Sequence, residues 1–503
     1  MGGAWETAAW LTVAGGALRW AIVQNGGAKA LAAVARSEIV TAASSLEALR
    51  EGVFLKSLGR SPYEGAAYRA SPVLLDVFAP LLEARSGAAE ALLVAVDMAI
   101  ALILVASTMA LMRPSKVQTE TSTRRGKAAA GEEANPIERR LTAETEPIPP
   151  GAKVNNFGRT DFVNNLAIHE GLPLSVVEGT DAASKAKAGS YVRMALLAPQ
   201  RAPVTVALLY MFNPYSLLAC VGGNVSSLGT LAALFALWRA LRRDTLGASL
   251  GIGAALSVNP LQYSSLLIPV VLQLSHGRGY KSLLLTIAQV VPVALLTLVG
   301  LVRYSLRESL PKNTAAPKAM LAVEESIYSG LLREVDLSDL SPNVGLWWYF
   351  FVEVFEEARS FFKIAFRASP LLLVLPLSVS FSHRPQLLGH VLLVLAELSK
   401  QYPDASGIGL MLSLFAMHPL TVKRMPYVLP LAIGVLSTSI MLPVMRHMWL
   451  TVGSGNANYY YFQTLICQFC ATSLFVHFVR ATLVRDRVLA DHAEQEDRHR
   501  KNA

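Results

Sequence analysis

The residues able to do chemistry in this chain fall into a few groupings of type and spacing. At 342–356 the sequence reads Pro-Asn-Val-Gly-Leu-Trp-Trp-Tyr-Phe-Phe-Val-Glu-Val-Phe-Glu, with Trp347, Trp348, Tyr349, Phe350 and Phe351 consecutive and Glu353, Phe355 and Glu356 just after them. Such aromatic density suits a membrane interface, where one ring edge meets headgroups and the other meets acyl tails. Glu353 and Glu356 fall one turn apart on one helical face, and acids at membrane depth are functional suspects. The blander alternative is an aromatic belt whose glutamates face solvent. Cys467 and Cys470 make a C-x-x-C, a redox pattern in soluble proteins. Inside an apolar run the pair reads instead as two small residues at a helix contact. Asp97 also lies in an apolar run. An unpaired carboxylate there is costly, so Asp97 must pair or face the bundle interior, with Arg19 either its partner or snorkelling to the surface. His447 has no other ligand-type residue one turn away, which argues against a metal site. It reads as an interfacial hydrogen-bonding histidine near Asn456. Cys220 has no base nearby in sequence, so no Cys-His nucleophile pair is expected, and no cofactor is implied.

The elements that must position these residues are membrane helices. Of 503 residues, 53% are hydrophobic and 16% charged, with a mean hydropathy of +0.40, whereas soluble domains carry about 25% charged residues. Apolar runs near spanning length occur at 7–23, 88–112, 203–221, 225–241, 281–302, 345–365, 426–445 and 459–479. Shorter runs at 72–84, 245–258, 261–275, 369–382, 385–399 and 406–420 are tilted spans, half-helices or re-entrant pieces. The fold class expected is an all-α polytopic membrane protein, a multispanning bundle of about 10–13 membrane helices.

The net charge of +9 does not gather into an aromatic-interleaved stripe, so nucleic acid is not an expected partner. Arg239, Arg242 and Arg243 after one run, and Arg480, Arg485 and Arg487 after the last, fit cytosolic flanks. Four regions follow. Residues 1–112 hold an uncleaved first span, a luminal loop and a second span. Residues 113–190, rich in Lys, Glu, Thr and Pro, read as a disordered cytosolic linker. Residues 191–482 form the multispanning bundle, and 483–503 a charged tail. In the loop, Ile39, Ala42, Ala43 and Leu46 share a face of a predicted amphipathic surface helix. A second polar break at 303–342 is expected to be luminal. Asn213-Pro214 is expected to break a helix inside an apolar region, and Asn224-Val225-Ser226 is a glycosylation sequon close to the membrane.

The order Ser61-Pro62-Tyr63-Glu64-Gly65, Tyr68-Arg69, Pro72-Val73-Leu74-Leu75 resembles the first luminal loop of two groups in glycosylphosphatidylinositol (GPI) biosynthesis, the first GPI mannosyltransferase and the U subunit of the GPI transamidase. The mannosyltransferases carry closely spaced acids there. This chain has only the isolated Glu38, Glu47 and Glu51, and no Asp between residues 24 and 71. The 342–356 run resembles the hallmark of the U subunit nearly residue for residue. Further resemblances follow in the same order: Leu209-Tyr210 with Asn213-Pro214-Tyr215, Lys400-Gln401-Tyr402-Pro403, His447-Met448-Trp449, and Gly453-Ser454-Gly455-Asn456-Ala457-Asn458-Tyr459-Tyr460-Tyr461.

The resemblance implies an endoplasmic-reticulum membrane protein with the architecture of multispanning (GT-C) glycosyltransferases but without their catalytic acids. It implies a non-catalytic subunit that binds and presents the GPI lipid, beside a separate cysteine-protease-like subunit and its luminal and membrane partners. It assigns the lipid to Tyr63, Asn343, Trp347, Trp348, Tyr349, Phe350, Phe351, Glu353, Phe355, His447, Asn456, Asn458 and Tyr459. The competing reading is an active mannosyltransferase using dolichyl-phosphate-mannose, and an ion-coupled transporter ranks behind both.

Overall fold

The computed structural model describes residues 2–26, 36–41, 44–65, 67–84, 87–112, 201–306 and 340–502. The linker expected at 113–190 and most of the polar break at 303–342 lie outside them. The described elements are helices, joined by turns and by one isolated backbone bridge between Ser45 and Asn224.

The N-terminal part holds α1 (Gly2–Gln24), α2 (Leu46–Ser57), α3 (Pro72–Ala84) and α4 (Ala88–Leu111). The single amphipathic helix expected around 37–50 does not form. A one-turn helix, Arg36–Ile39, ends at Val40, and α2 starts afresh at Leu46. Ser45 caps α2 by accepting from Ala48 N at 3.1 Å. A serine side chain that offers this bond favours a helix start over a helix interior. Ile39 then packs with Val40, Ala219 and Ala405. Leu46, Leu49 and Val53 instead pack with Tyr63, Tyr68, Leu75 and Phe78. Both groups are buried in protein rather than laid on a surface.

Next come α5 (Ala202–Met211) and α6 (Pro214–Val221), bent by 44° at the expected break. Asn213 caps α6 by accepting from Tyr215 N at 3.0 Å, and proline at the first helical position needs no donor. Arg19 of α1 reaches the bend. Its Nε donates to Asp97 of α4 at 3.0 Å, and its Nη1 and Nη2 donate to the Met211 and Tyr210 carbonyls at 2.5 and 3.3 Å. Tyr210 Oη donates to the other Asp97 oxygen at 3.2 Å. The charge pair and the carbonyls freed by the bend therefore satisfy one another, as a low-dielectric interior demands.

The bundle continues with α7 (Ser227–Leu241), α8 (Thr245–Val258), α9 (Leu267–Ser275) and α10 (Gly279–Leu306). Small residues let these helices approach: a Cβ on Gly251 would stand 3.0 Å from the Ala236 backbone, and one on Gly253 2.6 Å from Ala294 O. Such close backbone contact replaces the hydrophobic driving force that lipid removes. The chain closes with α11 (Trp347–Glu353), α12 (Glu356–Ser380), α13 (Pro385–Leu398), α14 (Ala405–Ala416), α15 (Val428–His447) and α16 (Ala457–Asn502). At 46 residues, α16 is about 70 Å long. It runs straight across the expected boundary at 482, with Arg485 and Asp486 buried.

Among the described residues, five helices are long and apolar enough to cross a bilayer: α4, α10, α12, α15 with its extension, and α16. The bent α5–α6 pair makes a sixth if it is one span, and α7, α8, α13 and α14 are shorter apolar helices of 10–17 residues. The protein is thus an all-α polytopic membrane protein. Of the eight runs expected to span, 7–23 forms the 23-residue α1, 225–241 forms the 15-residue α7, about 22 Å long, and 345–365 is divided between α11 and α12.

Candidate functional site

The apolar run at 345–365 is not one span. The helix stops after Glu353 and restarts at Glu356, with Val354 at ψ 136° and Phe355 at ψ 145°. Glu356 and Glu357 open α12, where acids complement the positive helix end. Arg359 Nη2 donates to the Phe351 carbonyl at 3.1 Å, satisfying a group that the break releases. The aromatic run is therefore a separate two-turn helix lying against the start of the true span.

α11 shows aromatic rings on two sides. Trp347 and Phe351 face Phe366 of α12, with ring centroids at 5.2 and 5.9 Å, and Phe350 meets Phe362 at 5.0 Å. On the other side Trp348 lies 6.2 Å from Trp449 and 6.0 Å from Tyr460, and Tyr349 lies 4.5 Å from Tyr461. Offset and edge contacts of this kind add stability beyond area burial. Tyr349 Oη donates to Asn458 Oδ1, and Tyr461 Oη donates to the Leu346 carbonyl at 3.2 Å. Partial desolvation and the Glu353 carboxylate hold the Tyr349 phenol above its ordinary pKa, so it keeps the proton it donates.

The turns on either side are built by polar residues. Asn343 Oδ1 accepts from Gly345 N at 2.7 Å, and its Nδ2 donates to Ser341 O at 3.1 Å. Gly345 sits against Pro403 of the Lys400–Pro403 turn, where a Cβ would stand 2.7 Å from the ring. Between α15 and α16 the chain makes a π turn, Met448–Val452, closed by Gly453 at φ 72°, a conformation glycine adopts without strain. Asn456 Oδ1 then accepts from Tyr459 N at 3.3 Å.

The structure thus brings Trp348, Tyr349 and Asn458 together directly, with Asn456 and Tyr459 on the same turn and Glu353 beside Tyr349. Trp347, Phe350 and Phe351 occupy the α12 side. Phe355 at the break is 81% exposed, and Tyr459 is 59% exposed. His447 ends α15 exposed, and the Asn456 side-chain oxygen nearby in sequence faces Tyr459 N. Tyr63 is elsewhere: it is buried beside Tyr68 at 5.3 Å and donates to the Ala70 carbonyl at 3.2 Å. Asn343 is buried with both ends of its amide used in its own turn.

Trp449, Tyr460 and Tyr461, which the sequence places in the resembling motifs but not among the expected lipid-site residues, complete the platform. Glu38 and Arg446 also meet here, Arg446 Nη1 standing 3.4 Å from Glu38 Oε2 across 408 residues of chain, a distance no local pattern reveals.

Other sequence features resolve plainly. Cys467 and Cys470 are buried free thiols, and Gly434 of α15 lies so close that a Cβ there would stand 2.6 Å from Cys470 Sγ. The pair does sit at a helix contact. Asn224 is 2% exposed, its Nδ2 donating to Ser406 Oγ at 3.0 Å and its Oδ1 accepting from Ser226 N at 3.0 Å. No group of three or more His, Cys, Asp or Glu among the described residues could hold a metal ion.

Fold and site together define a multi-pass helical membrane protein carrying an aromatic and amide platform at one end of its bundle. The chain belongs to the family described as GPI transamidase subunit PIG-U, which it matches over residues 13–467. It is 23% identical to the human GPI-anchor transamidase component PIGU over 446 residues, 86% of this chain and 83% of that protein. A GPI transamidase component of Schizosaccharomyces pombe is 36% identical over 163 residues, 32% of this chain and 40% of the relative. The budding-yeast component is 25% identical over 272 residues, 54% of this chain and 64% of the relative.

Proposed function

We propose that this chain, a GPI transamidase subunit by family, binds the GPI lipid at the aromatic platform and presents it for attachment to proteins in the endoplasmic-reticulum membrane. The observation that carries this reading is the junction of α11 with the start of α16. There the Tyr349–Asn458 hydrogen bond, the exposed amide of Asn456 and the exposed rings of Tyr459 and Phe355 combine headgroup-type polar groups with acyl-type apolar surface. An amphipathic lipid needs both at one depth. Trp347, Phe350 and Phe351 anchor this platform to α12, and Asn343 shapes the turn that leads into it. Glu353 and His447, exposed at its rim, meet the headgroup.

The bond-making step belongs to a different, cysteine-protease-like subunit. Cys220 is buried and reaches Asp97 rather than a histidine, which leaves its thiol without a general base. The mannosyltransferase alternative is not favoured by the family match, and the loop acids are spoken for separately. Glu38 meets Arg446, Glu47 meets Arg50 at 3.0 Å, and Glu51 accepts from Ala67 N at 3.2 Å.

The test is a pull-down of the tagged chain from gentle detergent, with lipid analysis after its depletion. The reading expects a cysteine-protease-like subunit in the complex and complete GPI lipids accumulating unattached. Recovery of the chain alone, with precursors lacking mannose, would contradict it.

A further inference from the structure

At the end of α7 remote from Asn224, two turns are tied together. Arg243 takes up the left-handed backbone conformation, φ 62°, rare outside glycine, and its Nη1 donates to the Gln273 and Leu274 carbonyls at 2.7 and 3.0 Å. The α7–α8 turn therefore stands against the turn that joins α9 to α10. Between residues 239 and 281 Asp244 is the only acid, against Arg239, Arg242, Arg243, Arg278 and Lys281. That acid is spent: it pairs with Arg239 and accepts from Gly247 N at 3.0 Å. Arg243 is spent on the carbonyls. The side chains of Arg242, Arg278 and Lys281 are exposed and make no hydrogen bond or ion pair with the described residues. Arg242 is nevertheless held in place, its guanidinium 5.2 Å from the centroid of the Trp238 ring, which Arg239 also approaches at 5.8 Å. A stacked guanidinium keeps its N–H edge open to an acceptor. Next to these turns the helices turn apolar: Leu246 and Leu250, one turn apart on α8, are 62% and 44% exposed, and Leu284 and Leu285 on α10 are 50% and 60% exposed.

We propose that these two turns hold the headgroup of an anionic phospholipid, its phosphate answered by Arg242 and by the Arg278–Lys281 turn and its acyl chains lying on the exposed leucines of α8 and α10. The charge balance decides the chemistry. A phosphate offers the acceptors that three cations lack, and a guanidinium meets it with charge-assisted hydrogen bonds. A choline headgroup would bring its own cation against the same bases, so a zwitterionic lipid is held less well. An acidic protein segment would answer the charge and leave the leucines uncovered. Placement agrees: basic flanks of this kind mark the cytosolic rim, the leaflet where anionic lipids concentrate. Helix-end complementarity accounts for Arg239 and carbonyl capping for Arg243, but neither accounts for a cation stacked on Trp238 with nothing to meet. The site is separate from the aromatic platform and does not depend on what the platform binds.

The experiment uses the full chain in its assembled complex and two photoactivatable probes of matched acyl chains, phosphatidylserine and phosphatidylcholine, with crosslinks on α8 and α10 counted by mass spectrometry. Phosphatidylserine should label these helices in excess, and Arg242→Gln and Arg278→Gln should each lower that excess about fivefold. Trp238→Leu keeps every charge and should lower it too, because Arg242 loses its stack. Arg303→Gln, at the other end of α10, should leave it unchanged. All three arginines are exposed, so the unfolding midpoint of these variants should stay at that of the parent, which separates lost labelling from lost fold. Equal labelling by the two lipids, an excess that survives Arg242→Gln and Arg278→Gln, or one that Arg303→Gln lowers as much, overturns the site. Capture of an oligoglutamate peptide in place of phosphatidylserine overturns it as well and assigns the patch to an acidic protein segment.

Discussion

Two arginine–carboxylate pairs in this chain differ in how completely they are satisfied. Arg19 and Asp97 meet at 3.0 Å with side chains 0% and 6% exposed, and the guanidinium also answers two backbone carbonyls at the α5–α6 bend. Arg446 and Glu38 meet at 3.4 Å with the arginine 30% exposed, Glu38 also meets Tyr460, and Arg446 Nε has no partner. The first pair is closed and holds three helices together. The second is open and lies beside exposed aromatics and amides. A buried charge pair whose donors are all answered rigidifies the helices it joins, while one with a donor left over holds its neighbours more loosely.

The sharpest way to break the comparison is Arg19→Leu. It leaves Asp97 buried without a counter-charge and frees the Met211 and Tyr210 carbonyls, so stability should fall by about 3–5 kcal/mol. Thermal unfolding in detergent measures this, and Arg19→Leu with Asp97→Leu should recover much of the loss. A single variant as stable as the parent would show that the pair is not architectural.

Gly434→Val comes next. Its side chain must displace Cys470, 2.6 Å from the first carbon added, at about 1–3 kcal/mol, and Cys470→Ala in the same background should relieve part of that cost. Asn458→Ala sharpens the other side of the comparison. Asn458 is exposed, so the unfolding midpoint should stay within what about 0.5 kcal/mol allows, while GPI attachment to a reporter drops several-fold. The smallest effect is expected of Asn224→Gln: the buried, bonded amide offers no acceptor in the folded chain, so glycosidase treatment should shift parent and variant alike by nothing on a gel.

Much of this was legible in residue order where the physics is local or strictly priced. Asp97 in an apolar run demanded a partner, and Arg19 supplied it. Asn213-Pro214 could not continue a helix. Cys467 and Cys470 marked a helix contact because lipid-embedded interfaces favour small residues. The break at Val354–Phe355 was hidden, because no glycine or proline interrupts the apolar run there and the acids that start α12 read equally well as a polar face. The separate fates of Ile39 and Leu46 turned on one serine cap. The junction of Trp348 with Trp449 and Tyr460, and of Glu38 with Arg446, depends on tertiary folding across long stretches of chain. Tyr63, grouped with the platform by resemblance, is held by the N-terminal cluster instead.

The most direct measurement is attachment of a GPI anchor to a reporter in cells whose only copy of this chain carries Trp348→Leu and Tyr349→Phe, with complex assembly followed in the same cells. The account predicts an intact complex and attachment reduced by about tenfold, equivalent to about 1.4 kcal/mol of lost lipid binding. Unchanged attachment by an assembled complex would contradict it.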